Sequence, residues 1–129
     1  MQDRVSIIEV GPRDGLQNEA VFIPTSLKVK FVNALLAAGL STVEVTSFVS
    51  SKWVPQMADH EELIQSLDLS VEANLSVLTP NQHGYLRARA LGISHMAFIT
   101  AASTIFCENL RKQGIFREKI CDHINFTVA

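Results

Sequence analysis

The chain has 129 residues, with 11 Lys and Arg against 13 Asp and Glu, and a formal net charge of −2 at pH 7. Hydrophobic residues make up 47% and charged residues 19%, which is typical of a folded soluble domain and excludes intrinsic disorder. A slightly acidic chain gains no attraction to polyanions, so no binding to nucleic acid or to an anionic membrane through overall charge is expected. The uncharged apolar run 32–43 is too short to span a bilayer.

Four short apolar segments predict β-strands. The first is rich in β-branched residues and closes on the pair Gly11-Pro12, which is typical of a chain break after a strand. The predicted strands cover 5–10, 42–46, 72–78 and 95–99.

Longer segments with helical spacing separate these strands. The first helix is expected to begin near Thr25, whose hydroxyl can cap it, and to end before Gly39, which suits a helix C-cap. Its spacing predicts a buried stripe of Leu27, Phe31, Leu35 and Leu36. Further helices are predicted over about 58–67, from the turn 79–81 to about 91–92, and from about 104 onward.

The order repeats a strand and a helix four times, which predicts an α/β fold with a parallel sheet, because the crossovers are too long for hairpins. A weak internal repeat supports this, since Gly-Leu at 39–40 and Gly-Ile at 92–93 each stand just before a strand. The spacing fits either an open doubly wound sheet or half of a (β/α)8 barrel. In both, ligands bind beyond the carboxyl ends of the strands.

An adjacent cation and carboxylate, Arg13 and Asp14, follow the first predicted strand. A carboxylate there can serve as a hard oxygen ligand for a divalent metal, and a guanidinium can stabilise a developing oxyanion. An ordinary Arg-Asp surface turn between Gly11 and Gly15 remains the alternative.

Two glutamates lie within otherwise apolar predicted strands, Glu9 in the first and Glu44 in the second. A carboxylate that faces a barrel interior needs a partner, because an unpaired buried charge is costly. In one arrangement, a single polar network with Arg13 provides a partner for both carboxylates. In the alternative, both glutamates lie on the solvent side of an edge strand.

The other polar residues carry weaker signals. Thr79 and Asn81, and the segment 100–103, suit turns as well as substrate contacts. The four histidines show no metal-binding spacing, and His60 is predicted to open a solvated helix. Cys107 and Cys121 form no CxxC motif, and the glycines match no phosphate-binding loop.

Three longer strings resemble one known family: EVGPRDGLQNE at 9–19, GLSTVEVTSFVSSKWVPQMADHEE at 39–62 and VLTPNQHGY at 77–85. They are similar to hydroxymethylglutaryl-CoA lyases, one branch of a wider set of metal-dependent lyases and synthases that share an Arg-Asp pair after the first strand. The resemblance runs from about residue 4 to about residue 108.

The resemblance implies a TIM (β/α)8 barrel, a Mg2+ or Mn2+ ion and an acyl-CoA substrate. The implied reaction cleaves 3-hydroxy-3-methylglutaryl-CoA to acetoacetate and acetyl-CoA. By position, it implies that Asp14 ligates the metal, that Arg13 stabilises the enolate oxygen, and that Glu44 belongs to the catalytic polar network. Supporting or substrate-contacting roles are implied for Glu9, Gln17 and Ser47.

The length is about half of the roughly 250 residues that such a barrel uses. The chain also has no His-x-His metal pair. It is therefore expected to be a truncated form, with the (βα)4 N-terminal half of a barrel over 1–108. An atypical, divergent tail, helical or poorly ordered, is expected over 109–129, where the sequence reads like a shifted frame or an alternative end.

With one carboxylate ligand and no metal histidines, the chain alone is expected to bind metal weakly and to show little or no lyase activity. Two alternatives stay open. One is half of a related aldolase or acyl-CoA synthase, completed by another chain or by self-association through exposed half-barrel edges. The other is a non-enzymatic remnant. A cytoplasmic location is expected, because the chain begins directly in a strand-like run.

Overall fold

The computed structural model describes residues 4–99 and 108 of the chain. In this part, α-helices and parallel β-strands alternate: α1 (Thr25–Ala37), β1 (Thr42–Ser47), α2 (His60–Gln65), β2 (Asn74–Leu78), α3 (Gln82–Ala90) and β3 (His95–Ala97). Single helical turns lie at Gly11–Gly15 and Pro55–Met57. The predictions for 100–103, for the last helix, for both cysteines and for the tail 109–129 fall outside the described residues.

The strands lie in the sheet in the same order as in the chain. β1 pairs with β2 and β2 with β3, all in parallel, and the first apolar segment joins the β1 edge at a bridge between Glu9 and Val43. Because strand crossovers are right-handed, a sheet that grows in one direction places its helices on one face, whereas a doubly wound sheet reverses direction. The order favours the barrel alternative.

The first apolar segment does not form the regular strand predicted over 5–10. Only Glu9 joins the sheet: its N–H donates to the carbonyl of Thr42 at 3.0 Å, and its carbonyl accepts from the N–H of Glu44 at 2.8 Å. The segment ends there because the carbonyl of Val10 turns away to accept from the amides of the following helical turn. Its outer edge has no partner strand in the described part of the chain.

Helix α1 buries a different face from the predicted one. Leu27 and Phe31 are 50% and 38% exposed, whereas Lys28 and Val32 are fully buried. The helix begins at Thr25 as predicted, but the Thr25 hydroxyl does not cap it and donates instead to Asp59 Oδ2 at 2.8 Å. The predicted stripe is therefore wrong in its first two members, since a buried lysine occupies the core side.

The glycine C-caps are confirmed. Gly39 and Gly92 follow α1 and α3 with φ of +91° and +88°. The N–H of the residue after each glycine donates to the carbonyl five positions earlier in the chain. Leu40 donates to Leu35 at 3.3 Å, and Ile93 donates to Ala88 at 3.2 Å. This pairing satisfies the last helical carbonyls and turns the chain into the following strand region.

The two faces of the sheet differ in polarity. The face towards the helices carries the core, formed with side chains of α1, α2 and α3: Val43, Val45, Leu75 and Val77. On the opposite face, Glu44 pairs in register with Ser76 and Ser47 with Leu78. A bulge between Glu44 and Thr46 adds one residue, so Glu44 and Ser47 share this face although they are three apart in sequence.

No helix in residues 4–99 has the length and hydropathy needed to cross a membrane.

Candidate functional site at the carboxyl ends of the strands

A widened helical turn, Gly11–Gly15, places Arg13 and Asp14 directly after the first apolar segment. The carbonyl of Val10 accepts from the amides of Arg13, Asp14 and Gly15 at 3.1, 2.7 and 3.4 Å. The Asn18 side-chain amide donates to the carbonyl of Asp14 at 2.7 Å and holds the turn from its other end. Turns of this π type are rare in proteins, and those that do occur are often found at functional sites.

Arg13 forms the centre of an ion-pair cluster. Its Nε donates to Glu44 Oε1 of β1, and its Nη1 donates to Asp14 Oδ1 at 2.9 Å. The Glu44 side chain is 7% exposed, Arg13 18% and Asp14 55%. The structure therefore brings together the three residues singled out for the site, with a buried carboxylate behind the guanidinium and an exposed one beside it.

Glu9 does not join this cluster. It pairs in register with Val43, on the helix side of the sheet, and its Oε1 accepts from the N–H of Gly11 at 2.6 Å beside the ring of Phe31. It forms no ion pair with any described cation. The predicted three-way network of Glu9, Glu44 and Arg13 is therefore not formed, because the two glutamates lie on opposite faces.

Ser47 lies at the end of β1, and Gln17 lies just after the Arg13 turn. Ser47 is completely buried, and its hydroxyl accepts from the N–H of Val49 at 3.3 Å, which shapes the chain as it leaves β1. Gln17 is half-buried just after the Arg13 turn. Their supporting roles stay predictions.

Gly11→Ala is expected to displace the Glu9 carboxylate. A Cβ at Gly11 lies only 2.8 Å from Glu9 Oε1 and 3.4 Å from Phe31 Cζ, so the carboxylate has to move and loses its bond to the Gly11 amide. We expect the free energy of unfolding to fall by about 1–2 kcal/mol, measured by urea denaturation followed by circular dichroism.

Gly15→Ala is the matched control, because no atom lies within 4 Å of a Cβ built at Gly15. This substitution is expected to leave stability unchanged or to raise it by about 0.5 kcal/mol. Equal losses in the two variants would show that glycine flexibility in the turn, and not the Glu9 contact, is responsible.

The sequence reasoning missed a buried ion pair beneath the turn. Lys28 Nζ donates to Asp59 Oδ1 at 2.6 Å, and the two side chains are 1% and 7% exposed. A lysine in an amphipathic helix is normally solvated, so the helical spacing alone carried no signal for it.

His60 is buried, not part of the solvated helix start that was predicted. Its Nδ1–H donates to the carbonyl of Met57 at 2.7 Å, and its Nε2 accepts from Arg87 Nη2 at 3.0 Å. Arg87 Nε also donates to Glu61 Oε1 at 2.9 Å. This hydrogen bond and the Arg87 charge hold the pKa of Glu61 below its usual value.

Asp14 is the available carboxylate for a divalent metal at this edge. Its Oδ1 accepts from Arg13, while Oδ2 has no hydrogen-bond partner among the described residues. No group of three or more His, Cys, Asp and Glu side chains in residues 4–99 is arranged to hold a metal. Mg2+ commonly binds through one or two carboxylates and keeps water or substrate oxygens, so Asp14 fits as one ligand.

Comparison with known proteins identifies the family. The HMGL-like family model matches residues 4–128 of the chain, which includes most of the predicted tail. The chain is 46% identical over 129 aligned residues to human 3-hydroxy-3-methylglutaryl-CoA lyase, cytoplasmic, covering 94% of this chain and 35% of the relative. It is 52% identical over 103 residues to hydroxymethylglutaryl-CoA lyase, mitochondrial, from Bos taurus, covering 80% and 32%.

Comparison with solved structures indicates the same family. The crystal structure of hydroxymethylglutaryl-CoA lyase from Pseudomonas aeruginosa superposes with a TM-score of 0.76 at 42% identity, covering 82% of this chain and 35% of that one. The chain thus spans about a third of the length of the relatives that it matches. With its sequential parallel sheet and the Arg13-Asp14 turn, the chain belongs to the HMGL-like family and has the fold of the N-terminal part of its TIM barrel.

Proposed function

We propose that the chain contributes part of the active site for divalent-metal-dependent carbon–carbon cleavage of 3-hydroxy-3-methylglutaryl-CoA to acetoacetate and acetyl-CoA. The observation that carries the proposal is the arrangement of Arg13, held by buried Glu44, beside exposed Asp14. This arrangement lies where parallel α/β folds bind their ligands. The names of the relatives support the substrate.

Arg13 is the group that meets developing negative charge. Glu44 occupies Nε and Asp14 occupies Nη1, which fixes the plane of the guanidinium. No described residue accepts from Nη2, so this nitrogen remains available to an oxygen of the substrate. As the deprotonated tertiary alcohol becomes the ketone of acetoacetate, the carbon–carbon bond breaks and its electrons pass to the acetyl-CoA part as an enolate. The Nη2–H stabilises the enolate oxygen until a proton, equal in number to the one lost by the alcohol, is added to the enolate carbon. Guanidinium stays charged at any working pH.

Asp14 would hold Mg2+ or Mn2+ through Oδ2, with Oδ1 retained by Arg13. When bound, such an ion lowers the pKa of a ligated hydroxyl and so favours removal of the proton from the tertiary alcohol of the substrate. Glu44 is too buried to reach solvent freely, and its role is to orient Arg13. Glu9, Gln17 and Ser47 are proposed as supports of this edge and not as reacting groups.

Asp14→Asn is expected to lower Mn2+ affinity about tenfold or more, because the amide offers a neutral oxygen in place of a charged one. Isothermal titration calorimetry of the purified chain measures the affinity. Glu62→Gln, an exposed carboxylate change on α2, is the matched control and should leave it unchanged. Equal Mn2+ affinity in Asp14→Asn and the wild-type chain would remove Asp14 from the metal site.

The reaction itself is tested by supplying the missing part of the fold. The chain is mixed with the portion of the Pseudomonas aeruginosa lyase that lies outside the superposed third, and acetyl-CoA release is measured with Mn2+ present. We expect little or no turnover by the chain alone and turnover by the mixture, lost in Arg13→Met. A stable complex of the two pieces with no turnover would overturn the proposal.

A second arrangement places the complete site in an assembly of chains. The side chains of the first apolar segment are exposed, with Val5, Ile7 and Ile8 at 87%, 68% and 57%. Its outer edge also has no partner strand in the described part of the chain. Such edges promote association. Size-exclusion chromatography with light scattering, with and without Mn2+, tests this: a dimer supports it, and a monomer at every concentration contradicts it.

A cytoplasmic location belongs to the same proposal. It is supported by a relative named cytoplasmic, although another relative is named mitochondrial. Imaging of the tagged full-length protein in its native cell decides between the two compartments.

A further inference from the structure

A buried cluster around Lys28 joins three separate segments of the chain. Lys28 Nζ donates to the carbonyl of Gln56 at 2.5 Å and to Asp59 Oδ1 at 2.6 Å, and it lies 4.5 Å from the centre of the Phe22 ring. Asp59 Oδ2 accepts from the hydroxyl of Thr25. Every charged atom of the pair therefore has a partner, although both side chains are almost completely buried.

Gln56 connects this cluster to the segment that carries Arg13 and Asp14. Its carbonyl accepts from Lys28, while its side-chain amide donates to the carbonyl of Glu19 at 2.6 Å. Glu19 stands next to Asn18, whose amide holds the carbonyl of Asp14. Three hydrogen bonds, linked through the Gln56 residue and through the peptide bond between Asn18 and Glu19, thus connect the buried lysine to the backbone of the proposed metal ligand.

The cluster also fixes the loop that follows β1. Gln56 and Asp59 both belong to the connection between β1 and α2, whereas Glu19 and Phe22 belong to the connection between the first segment and α1. Both connections leave the carboxyl ends of neighbouring sheet elements. A buried charge tolerates little displacement from its partners, because an unpaired ion in the interior is strongly unfavourable. The pair therefore fixes α1 against the connection after β1. The bond from Gln56 to Glu19 and the contact of Lys28 with the Phe22 ring tie the first connection to it.

We propose that Lys28, Asp59 and Gln56 form a latch that positions the Arg13–Asp14 segment against the loop after β1. Lys28 is a positioning residue, which acts on the site through Gln56 and Glu19 and touches neither substrate nor metal. The effect on metal binding rests on the proposed function, whereas the effect on the segment 13–24 does not.

Two variants open the latch while keeping the chain folded. Gln56→Ala removes the bond to Glu19 but keeps the carbonyl that Lys28 needs, so the buried pair stays intact. Lys28→Met/Asp59→Leu removes both charges together and replaces them with apolar groups, which avoids an unpaired buried ion. Lys30→Met, an exposed lysine two residues further along α1, is the matched control.

Amide hydrogen exchange with mass spectrometry provides the first measurement. We expect exchange over 13–24 to become about fivefold faster in both variants, with no change in β2 and none in Lys30→Met. Faster exchange spread equally over β1 and β2 would show general destabilisation and overturn the latch. Unchanged exchange over 13–24 would overturn it as well.

The second measurement is the Mn2+ affinity, obtained by titration at temperatures where each variant is folded. Under these conditions a loss of stability alone does not change the affinity. We expect affinity to fall about threefold or more in both latch variants, although neither changes a residue that touches Asp14. Unchanged affinity together with faster local exchange would overturn the link to the site. A wild-type chain that binds no Mn2+ would overturn the proposed metal role, and the exchange result then decides the latch by itself.

Discussion

Arg13→Met should lower the free energy of unfolding by about 3 kcal/mol, because it leaves the Glu44 carboxylate buried without its cation. Glu44 is 7% exposed and receives its charged hydrogen bond from Arg13 Nε. Arg13 is itself 18% exposed, so water reaches the vacated space in part and the loss stays at the lower end for a broken buried pair. Urea denaturation followed by circular dichroism measures the change.

A double substitution separates the charge effect from lost packing. Arg13→Met/Glu44→Gln removes the buried charge together with its partner, so most of the stability should return. Arg4→Met replaces an exposed arginine at the other end of the same segment and should cost less than about 0.5 kcal/mol. If the double variant is as unstable as Arg13→Met alone, the guanidinium stabilises the turn through Asp14 or through packing and not through Glu44.

The order of the elements was predictable because local signals agreed with the fold. Gly39 and Gly92 adopt positive φ at the helix ends that their positions indicated. Asn81 caps α3, its side-chain oxygen accepting from the amide of Gly84 at 2.9 Å. The glycine caps and the turn at 79–81 depend on neighbours within five residues, so sequence reasoning reached both without knowledge of the tertiary structure. The sequence left open whether Asn81 serves that turn or a substrate.

The face on which each glutamate lies was not predictable. A regular strand would place Glu44 and Ser47 on opposite faces, and the bulge at Val45 brings them to the same one. Nothing in the letters TVEVTS specifies an extra residue in the pairing. Glu9 was included in the predicted network because it lies in an apolar segment, as Glu44 does in the next strand. The single bridge to Val43 instead places the Glu9 side chain on the face towards α1. The face depends on register, which forms only when strands pair.

The buried lysine shows a further limit of periodicity. The spacing in α1 assigned Leu27 and Phe31 to the core, yet both are exposed on the described part of the chain, and Lys28 and Val32 face inwards. The inward position of Lys28 is compatible with burial because Asp59, which lies 31 residues further along the chain, accepts a hydrogen bond from it. A prediction from one helix cannot include a partner supplied by another loop. The exposed side chains of Leu27 and Phe31 add to the apolar surface of the chain, and Phe31 lies beside Gly11 at the end of the first segment.

Lys28→Met is expected to produce the larger loss of stability, about 3–5 kcal/mol, because it leaves Asp59 as a buried carboxylate with no cation. Lys28 is 1% exposed and Asp59 7%, so solvent has less access here than at Glu44 and Arg13. Met preserves the length of the apolar stem, and the change therefore isolates the ammonium group. The melting temperature should fall by more than about 10 °C.

The loss of stability in Lys28→Met is expected to come from the unpaired charge of Asp59 and not from the strength of the ion pair. Two further variants test this. Asp59→Leu alone leaves an unpaired buried lysine and should be similarly destabilising, whereas Lys28→Met/Asp59→Leu should recover most of the loss. Lys30→Met removes an exposed charge from the same helix and should stay within about 0.5 kcal/mol of the wild-type chain. If Lys28→Met costs no more than Lys30→Met, the ammonium group reaches water and the cluster is not buried. A pair that is costly to break yet contributes little when both charges are removed acts through the geometry it imposes, and here that geometry is the position of α1 against the connection after β1.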